Sequence, residues 1–381
     1  MNKIISFLLF LALIGCTNKN SFKVTVTNPS SFDRTNEIVE LPLTGIILKM
    51  QDKDFIITDI NNKQVPYQKT FDNKLIFPVS ITANNKATYT IIEGTPEVYN
   101  PLVYGQLYPE RVDDIAWEND RIAFRTYGPA LQATGEKAYG FDVWVKNVPE
   151  LVVKERYRKE LEENISYHTD HGNGLDYYKV GPTLGAGTPA LLVNDTIAYP
   201  YCYKTFDIVD NGPLRFTVKL TYNPLTINDN SSVIEHRTIS LDAGTQMNKV
   251  TIFYKNLTEA LPVAAGIVLH DPSDEFVINK EEGYIAYADP LEPGNGQTYI
   301  GAAFPKALNE AKAVYFSDKE KTERGANGHV LGISEYKPES EFIYYFGAGW
   351  NKWGFETSAD WFDYIKAFST QLKEPLEVTY E

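Results

Sequence analysis

Short apolar–polar runs broken by turn residues confine this chain to a β architecture. Phe22-Lys-Val-Thr-Val-Thr27, Phe55-Ile-Ile-Thr58, Lys74-Leu-Ile-Phe77 and Ala87-Thr-Tyr-Thr-Ile-Ile92 read as strands, with Asn61-Asn62, Asp72-Asn73 and Asn84-Asn85 as turns between them. They predict a small β-sandwich over residues 17–97, closed off by a cluster of Gly94, Pro96, Pro101 and Gly105. Strand patterns then recur at 121–127, 141–146, 215–222, 233–241, 248–254, 266–270, 284–288, 298–304 and 341–346. That rhythm predicts a large sandwich or barrel over residues 98–381. Helical patterning is confined to two short stretches. One is 152–164, after Pro149. The other is 359–372, capped by Thr357 or Ser358, with Trp361, Phe362, Ile365 and Phe368 on one stripe and Pro375 as its stop before a last strand at 376–380. No repeat of 20 to 50 residues is visible, so solenoids and propellers are excluded.

The first residues predict an address. Lys3 precedes an apolar run, Ile4 to Ile14, that is far shorter than the ~20 residues a spanning helix needs. Leu13-Ile14-Gly15-Cys16 has the form of a bacterial lipobox, so residues 1–16 are expected to be a lipoprotein signal peptide with Cys16 lipidated. Membrane contact is expected through that lipid only. No acidic run follows Cys16, which favours the periplasmic side of the outer membrane over the cell surface. With Cys16 consumed, Cys202 is the one thiol left, and a buried structural role is expected for it.

Charge and motif exclude several classes. The chain carries 36 Lys and Arg against 50 Asp and Glu, a net charge of −14, unsuited to nucleic acid. Gly181-Pro-Thr-Leu-Gly-Ala-Gly187 lacks the lysine of a phosphate loop, so no nucleotide is expected. No Gly-x-Ser-x-Gly elbow is present.

Three segments can carry chemistry. In Ser166-Tyr-His-Thr-Asp-His-Gly-Asn-Gly-Leu-Asp-Tyr-Tyr178, His168 and Asp170 share a face of an extended chain, and Gly172 and Gly174 permit a turn that folds His171 and Asp176 back. An imidazole held by a carboxylate is a general base; two His and a carboxylate could equally ligate a divalent metal, although no cofactor is required. In the segment 111–127, Arg121, Arg125 and Tyr127 share a strand face suited to an acidic sugar, with Arg111 and Glu118 nearby. The competing reading is internal pairing of these arginines with Asp113, Asp114, Glu118 and Asp120. In Gly347-Ala-Gly-Trp-Asn-Lys-Trp-Gly354, Trp350 and Trp353 are candidate platforms for sugar rings. His270 is a lesser candidate, while His236 and His329 read as structural.

The combination Tyr108-Pro-Glu-Arg-Val-Asp-Asp-Ile-Ala-Trp117, Tyr127-Gly-Pro-Ala-Leu131, Tyr167-His-Thr-Asp-His-Gly-Asn-Gly174 and Gly347-Ala-Gly-Trp350 resembles a Bacteroidetes family of exported proteins of unknown function, DUF4861, from about residue 20 onward. The resemblance implies a β-supersandwich similar to galactose mutarotase and polysaccharide lyases, in a setting of pectin-like, uronate-containing glycans. No mutarotase motif is present from which catalytic residues could be carried over. The leading expectation is β-elimination on acidic oligosaccharides. Arg125, with Arg121 or Arg111, would neutralise the carboxylate. His168 or His171, oriented by Asp170, would be the base, and Tyr127, Tyr167 or Tyr177 the acid. The alternatives are a mutarotase or glycosidase using Glu118 or Asp176, or a glycan-binding lipoprotein using Trp350 and Trp353.

Overall fold

The computed structural model describes residues 21–271 and 275–381, so the expected leader and Cys16 lie outside the described residues. The chain is all-β, with two sandwiches of unequal size. In the smaller, a five-stranded sheet (Glu377–Tyr380, Ser21–Thr27, Lys86–Glu93, Phe55–Thr58, Gln64–Val65) accompanies a three-stranded one (Arg34–Pro42, Lys74–Ile81, Gln68–Lys69). Strict alternation drives this. Phe22, Val24 and Val26 of the first strand point inward onto Val39, Leu41, Leu75, Phe77 and Ile91, while Lys23 and Thr25 point out. The helix Leu43–Met50 adds Leu43, Ile46 and Met50 to the same core. This sandwich is not contiguous in sequence, because its outer strand comes from residues 377–380.

In the larger body a nine-stranded antiparallel sheet packs against a five-stranded sheet and a four-stranded one. The four-stranded sheet (Asp142–Trp144, Ala123–Thr126, Asp114–Asn119, Val103–Tyr108) matters most for function. Its inward side chains interleave with the large sheet: Trp117 stacks on Phe216 at 6.0 Å between ring centres, and Phe141 on Phe346 at 4.4 Å. Gly105 leaves room for this, since a Cβ there would sit 2.5 Å from the Phe216 ring.

The helix Ser358–Lys373 begins as its sequence predicts. Thr357 caps it, with Asp360 closing the box from the third position. Trp361 and Ile365 are buried against the strands Tyr284–Ala288 and Thr298–Ala303, where Gly301 makes way for Ile365. The other expected helix is Val153–Arg158, extended by a π turn, Lys159–Glu163. The reading of only two helices falls short: Leu43–Met50, Pro129–Thr134 and Asp318–Arg324 are also helical. They are short, and their apolar spacing spans too few turns to register as periodic.

Polar clamps join the two sandwiches. Arg215 forks onto Asp242 at 2.6 and 2.8 Å and reaches Glu40 of the small sandwich at 2.6 Å. Gln68 accepts from the amides of Leu214 and Arg215 and donates to the Arg215 carbonyl.

Candidate functional site

The site grows from the edge of the four-stranded sheet. Arg125 pairs in register with Asp142 on the next strand, so the two side chains emerge together. The guanidinium donates through Nε to Asp142 Oδ2 at 2.7 Å and through Nη2 to Asp176 Oδ2 at 2.9 Å, and Asp114 lies 3.6 Å from Nη1. The rings of Tyr127 and Trp144 each lie 5.2 Å from it. Three buried carboxylates thus surround one buried cation. Burial pushes the Asp114 carboxyl up to about 6, against the pull of Arg125 and Arg111. Burial likewise holds Asp176 well above the usual carboxylate range, with Asp142 and Asp114 adding to it.

The loop 166–178 lies along this edge. Leu175 exchanges backbone hydrogen bonds with Val145, and the Asp176 amide donates to the Tyr167 carbonyl at 2.9 Å. Asp170 accepts from the amides of Gly172 and Gly174 at 2.9 and 3.0 Å, fixing the turn. Both glycines have φ of +93°. At Gly174 a Cβ would lie 2.1 Å from the Val145 carbonyl oxygen, whereas at Gly172 it would meet open space. Gly174→Ala is therefore expected to detach the loop from the sheet edge, at a cost exceeding the ~1–3 kcal/mol of the backbone conformation alone. Gly172→Ala should show only that smaller cost. Hydrogen exchange at the Leu175 and Asp176 amides, compared between the two variants, checks this.

His168 is set by the same turn. Its Nδ1 lies 2.8 Å from the Asp176 carbonyl oxygen, so Nδ1 carries the proton, and the Asp176 carboxylate is 3.7 Å behind it. The side chain is 56% exposed. It faces a cleft of about 330 Å³ lined also by Arg125, Asp176, Tyr177, Lys179 and Glu292. Lys179 and Glu292 meet across the rim at 3.4 Å. Beneath them His270 engages both ring nitrogens, with Asp289 at 2.6 Å and with the Lys179 carbonyl at 2.8 Å. Burial opposes its charge, but Asp289 and the carbonyl outweigh that and hold its pKa above the ordinary imidazole range. His270 therefore positions the 177–179 segment and has no nitrogen left to accept a proton.

A family model described as a domain of unknown function, DUF4861, matches residues 26–378. The chain belongs to the DUF4861 family. An uncharacterised protein P7 of Formosa agariphila is 29% identical, over 94% of this chain and 93% of its own length. Among solved structures, a glycosyl hydrolase family 38 protein from Enterococcus faecalis superposes with a TM-score of 0.50 at 10% identity, covering 95% of this chain and 47% of that one. An alpha-mannosidase from Enterococcus faecalis V583 gives 0.50 at 9%, covering 95% and 46%. The chain spans about half the length of these solved structures, and at such identity the likeness is one of fold.

In this DUF4861 protein, Arg125, His168, Asp176 and Tyr177 converge on one cleft, but several expected partners do not. Asp170 serves the glycine amides and not His168. His171 is exposed, with Nε2 2.9 Å from the Ser166 carbonyl oxygen. The three side chains expected to share a metal thus engage separate backbone groups, and among the described residues no set of three His, Cys, Asp or Glu side chains is arranged to hold one. Arg121 pairs with Asp120 at 3.5 Å at the far end of its hairpin, over the half-buried Trp353 ring. Arg111 lies over the Tyr167 ring at 5.3 Å. Tyr167 is itself buried in a stack with Trp144 and Tyr157, away from solvent. The hydroxyl of Tyr177 accepts from Thr298 at 2.7 Å.

Glu118 is not a substrate ligand. It is buried, accepting from Lys146 at 2.7 Å and from the amides of Val152 and Val153 at 2.9 and 2.7 Å, where it caps the helix Val153–Arg158. Trp350 is no platform either: it is 1% exposed and donates to the Asn295 carbonyl. Cys202 is buried with its thiol pushed up to about 12 by burial, as a structural thiol should be. Buried His329 accepts from the Leu184 amide at 3.0 Å. Sequence reasoning missed Asp142, Lys179 and Glu292. Asp142 had a signal, since it interrupts the apolar run Phe141 to Val145 on a strand beside the arginine-bearing one.

Proposed function

We propose that this protein acts on a saccharide bound in the cleft beside His168, with that imidazole transferring a proton in a mutarotase- or glycosidase-type reaction. The observation that carries the reading is the pose of His168: Nδ1 is fixed on the Asp176 carbonyl, which leaves Nε2 as the acceptor on a half-exposed ring that lines the cleft. The Asp176 backbone carbonyl, accepting from Nδ1, holds the ring in this tautomer and stabilises the imidazolium that forms. The fold likeness to glycosyl hydrolase family 38 structures supports a sugar as the substrate class. The sequence signals of Lys3 and Gly15-Cys16 support an anchored lipoprotein, and the lack of an acidic run after Cys16 favours the periplasmic side of the outer membrane.

β-Elimination on uronates is the second reading, and one observation weighs against it. Arg125, the cation meant for the substrate carboxylate, is already engaged by Asp142 and Asp176, with Asp114 close by. The cleft therefore lacks a free guanidinium to acidify the proton next to a carboxylate. Product analysis separates the two. We expect new reducing ends or anomer exchange when neutral and uronate-containing oligosaccharides are both offered, with no ultraviolet absorbance from an unsaturated product on the uronate. His168→Ala, at an exposed position, should fold normally and lower the rate by ~10²–10⁴-fold. An unaltered rate in that variant removes His168 from the chemistry, and an unsaturated product moves the assignment to elimination.

A further inference from the structure

The aromatic run Ala198-Tyr-Pro-Tyr-Cys-Tyr203 is not used by the His168 cleft, and it builds a second one. Tyr139 lies 5.4 Å from Tyr199 and 5.0 Å from Tyr201, ring centre to ring centre, and all three are half-buried. Tyr201 is anchored by its hydroxyl on the Glu136 carbonyl and backs the Tyr139 ring. Tyr139 and Tyr199 line a cleft of about 450 Å³ together with Lys137, Pro182, Glu323 and Arg324. Arg324 closes the helix Asp318–Arg324, donates to the Pro182 carbonyl and lies 4.5 Å from the Tyr199 ring centre. Its Nε is buried without a hydrogen-bond partner. Glu320, the nearest other acid on that helix, is spent on capping at Ser317. Two cations therefore face one carboxylate across an aromatic floor.

We infer that this tyrosine cleft is a distal subsite for a pyranose unit bearing an anionic group, stacked on Tyr139 and Tyr199 and paired with Arg324 and Lys137. Flat aromatic faces accept the apolar face of a sugar ring, and a guanidinium beside them selects a carboxylate or sulfate. The inference deepens the saccharide reading and rests on it for the role of the bound chain. Lys179 of the first cleft and Pro182 of the second are three residues apart, at most ~11 Å along the backbone, so one oligosaccharide can touch both.

The test is affinity measured by calorimetry on the full chain with trigalacturonate, galactose 6-sulfate and galactotriose as probes. The expected result is that at least one acidic probe binds more tightly than the neutral trisaccharide; which one tells carboxylate from sulfate. Tyr139→Ala should weaken that probe roughly five- to tenfold. Lys137→Glu, at an exposed position on the cleft rim, should weaken it in the same direction and leave galactotriose unchanged. His168→Ala should keep the affinity while losing turnover. Equal affinity in wild type and both cleft variants overturns the subsite yet leaves the His168 chemistry standing, as does binding of none of the probes. Probe binding that depends on Tyr139, in a protein that turns over no saccharide, sustains the subsite and removes the catalytic reading.

Discussion

Replacing Arg125 by Met is expected to cost about 3–5 kcal/mol of folding stability at neutral pH, because three buried carboxylates lose the cation they surround. The deficit should depend on pH with a definite sign. Asp114 has a folded-state pKa of about 6, above the ordinary value of 3.8. The native state therefore keeps a proton that the unfolded chain releases between those values. Stability from this group is fully present below pH ~4, is lost as pH rises through ~6, and is flat above that. Without the guanidinium the carboxyls hold protons to still higher pH, so the Arg125→Met deficit should narrow as the solution is acidified from pH 7.5 towards pH 6. Urea unfolding at pH 5 and pH 7.5 reads both effects. Lys at this position should rescue only part, since one ammonium cannot fork onto Asp142 and Asp176 together. A variant that unfolds at the wild-type urea concentration at pH 7.5 would show that the guanidinium does not hold this cluster together.

The second large effect is expected at Glu118. Its loss strands Lys146, whose buried ammonium already sits below the usual lysine range because burial outweighs its pairing with the glutamate. Glu118→Ala also uncaps the amides of Val152 and Val153. Together these predict a loss of about 3–5 kcal/mol. Adding Lys146→Met to Glu118→Ala should return part of that stability, since the second change removes the orphaned charge. A double variant less stable than the single one would mean that Lys146 is held by the Asn119 carbonyl alone, to which it also donates. Either way, the glutamate that sequence placed among substrate ligands is predicted to act on stability and not on sugar affinity.

The strands were legible because side chains alternate with period two wherever one face is buried, as in Ser21–Thr27. The C-terminal helix was legible through its capping residues and apolar stripe. What the sequence could not display was partnership across distance. Arg121 and Arg125 have the same spacing on paper, yet Asn119 accepts from the amides of Arg121 and Ile122, so the strand begins only at Ala123 and Arg121 falls outside the sheet. Arg125 meets Asp142 and Asp176 because register and a loop bring them there. His168 and Asp170 looked like a dyad under the assumption of an extended backbone. The two left-handed glycines fold the loop instead, handing His168 to Asp176 and Asp170 to the glycine amides. Trp350 and Trp353 sit three residues apart, but the first ends the strand Phe342–Trp350 and is buried with it, whereas the second lies in the turn that follows.

The strand Ser21–Thr27 is held on one side by residues 86–93 and on the other by residues 377–380. During synthesis the small sandwich is the first part of the described chain to leave the ribosome, yet one flank of its opening strand waits until nearly everything else has been made. Until then that flank is an open template for β-pairing with other chains. The module translated earliest is thus sealed last.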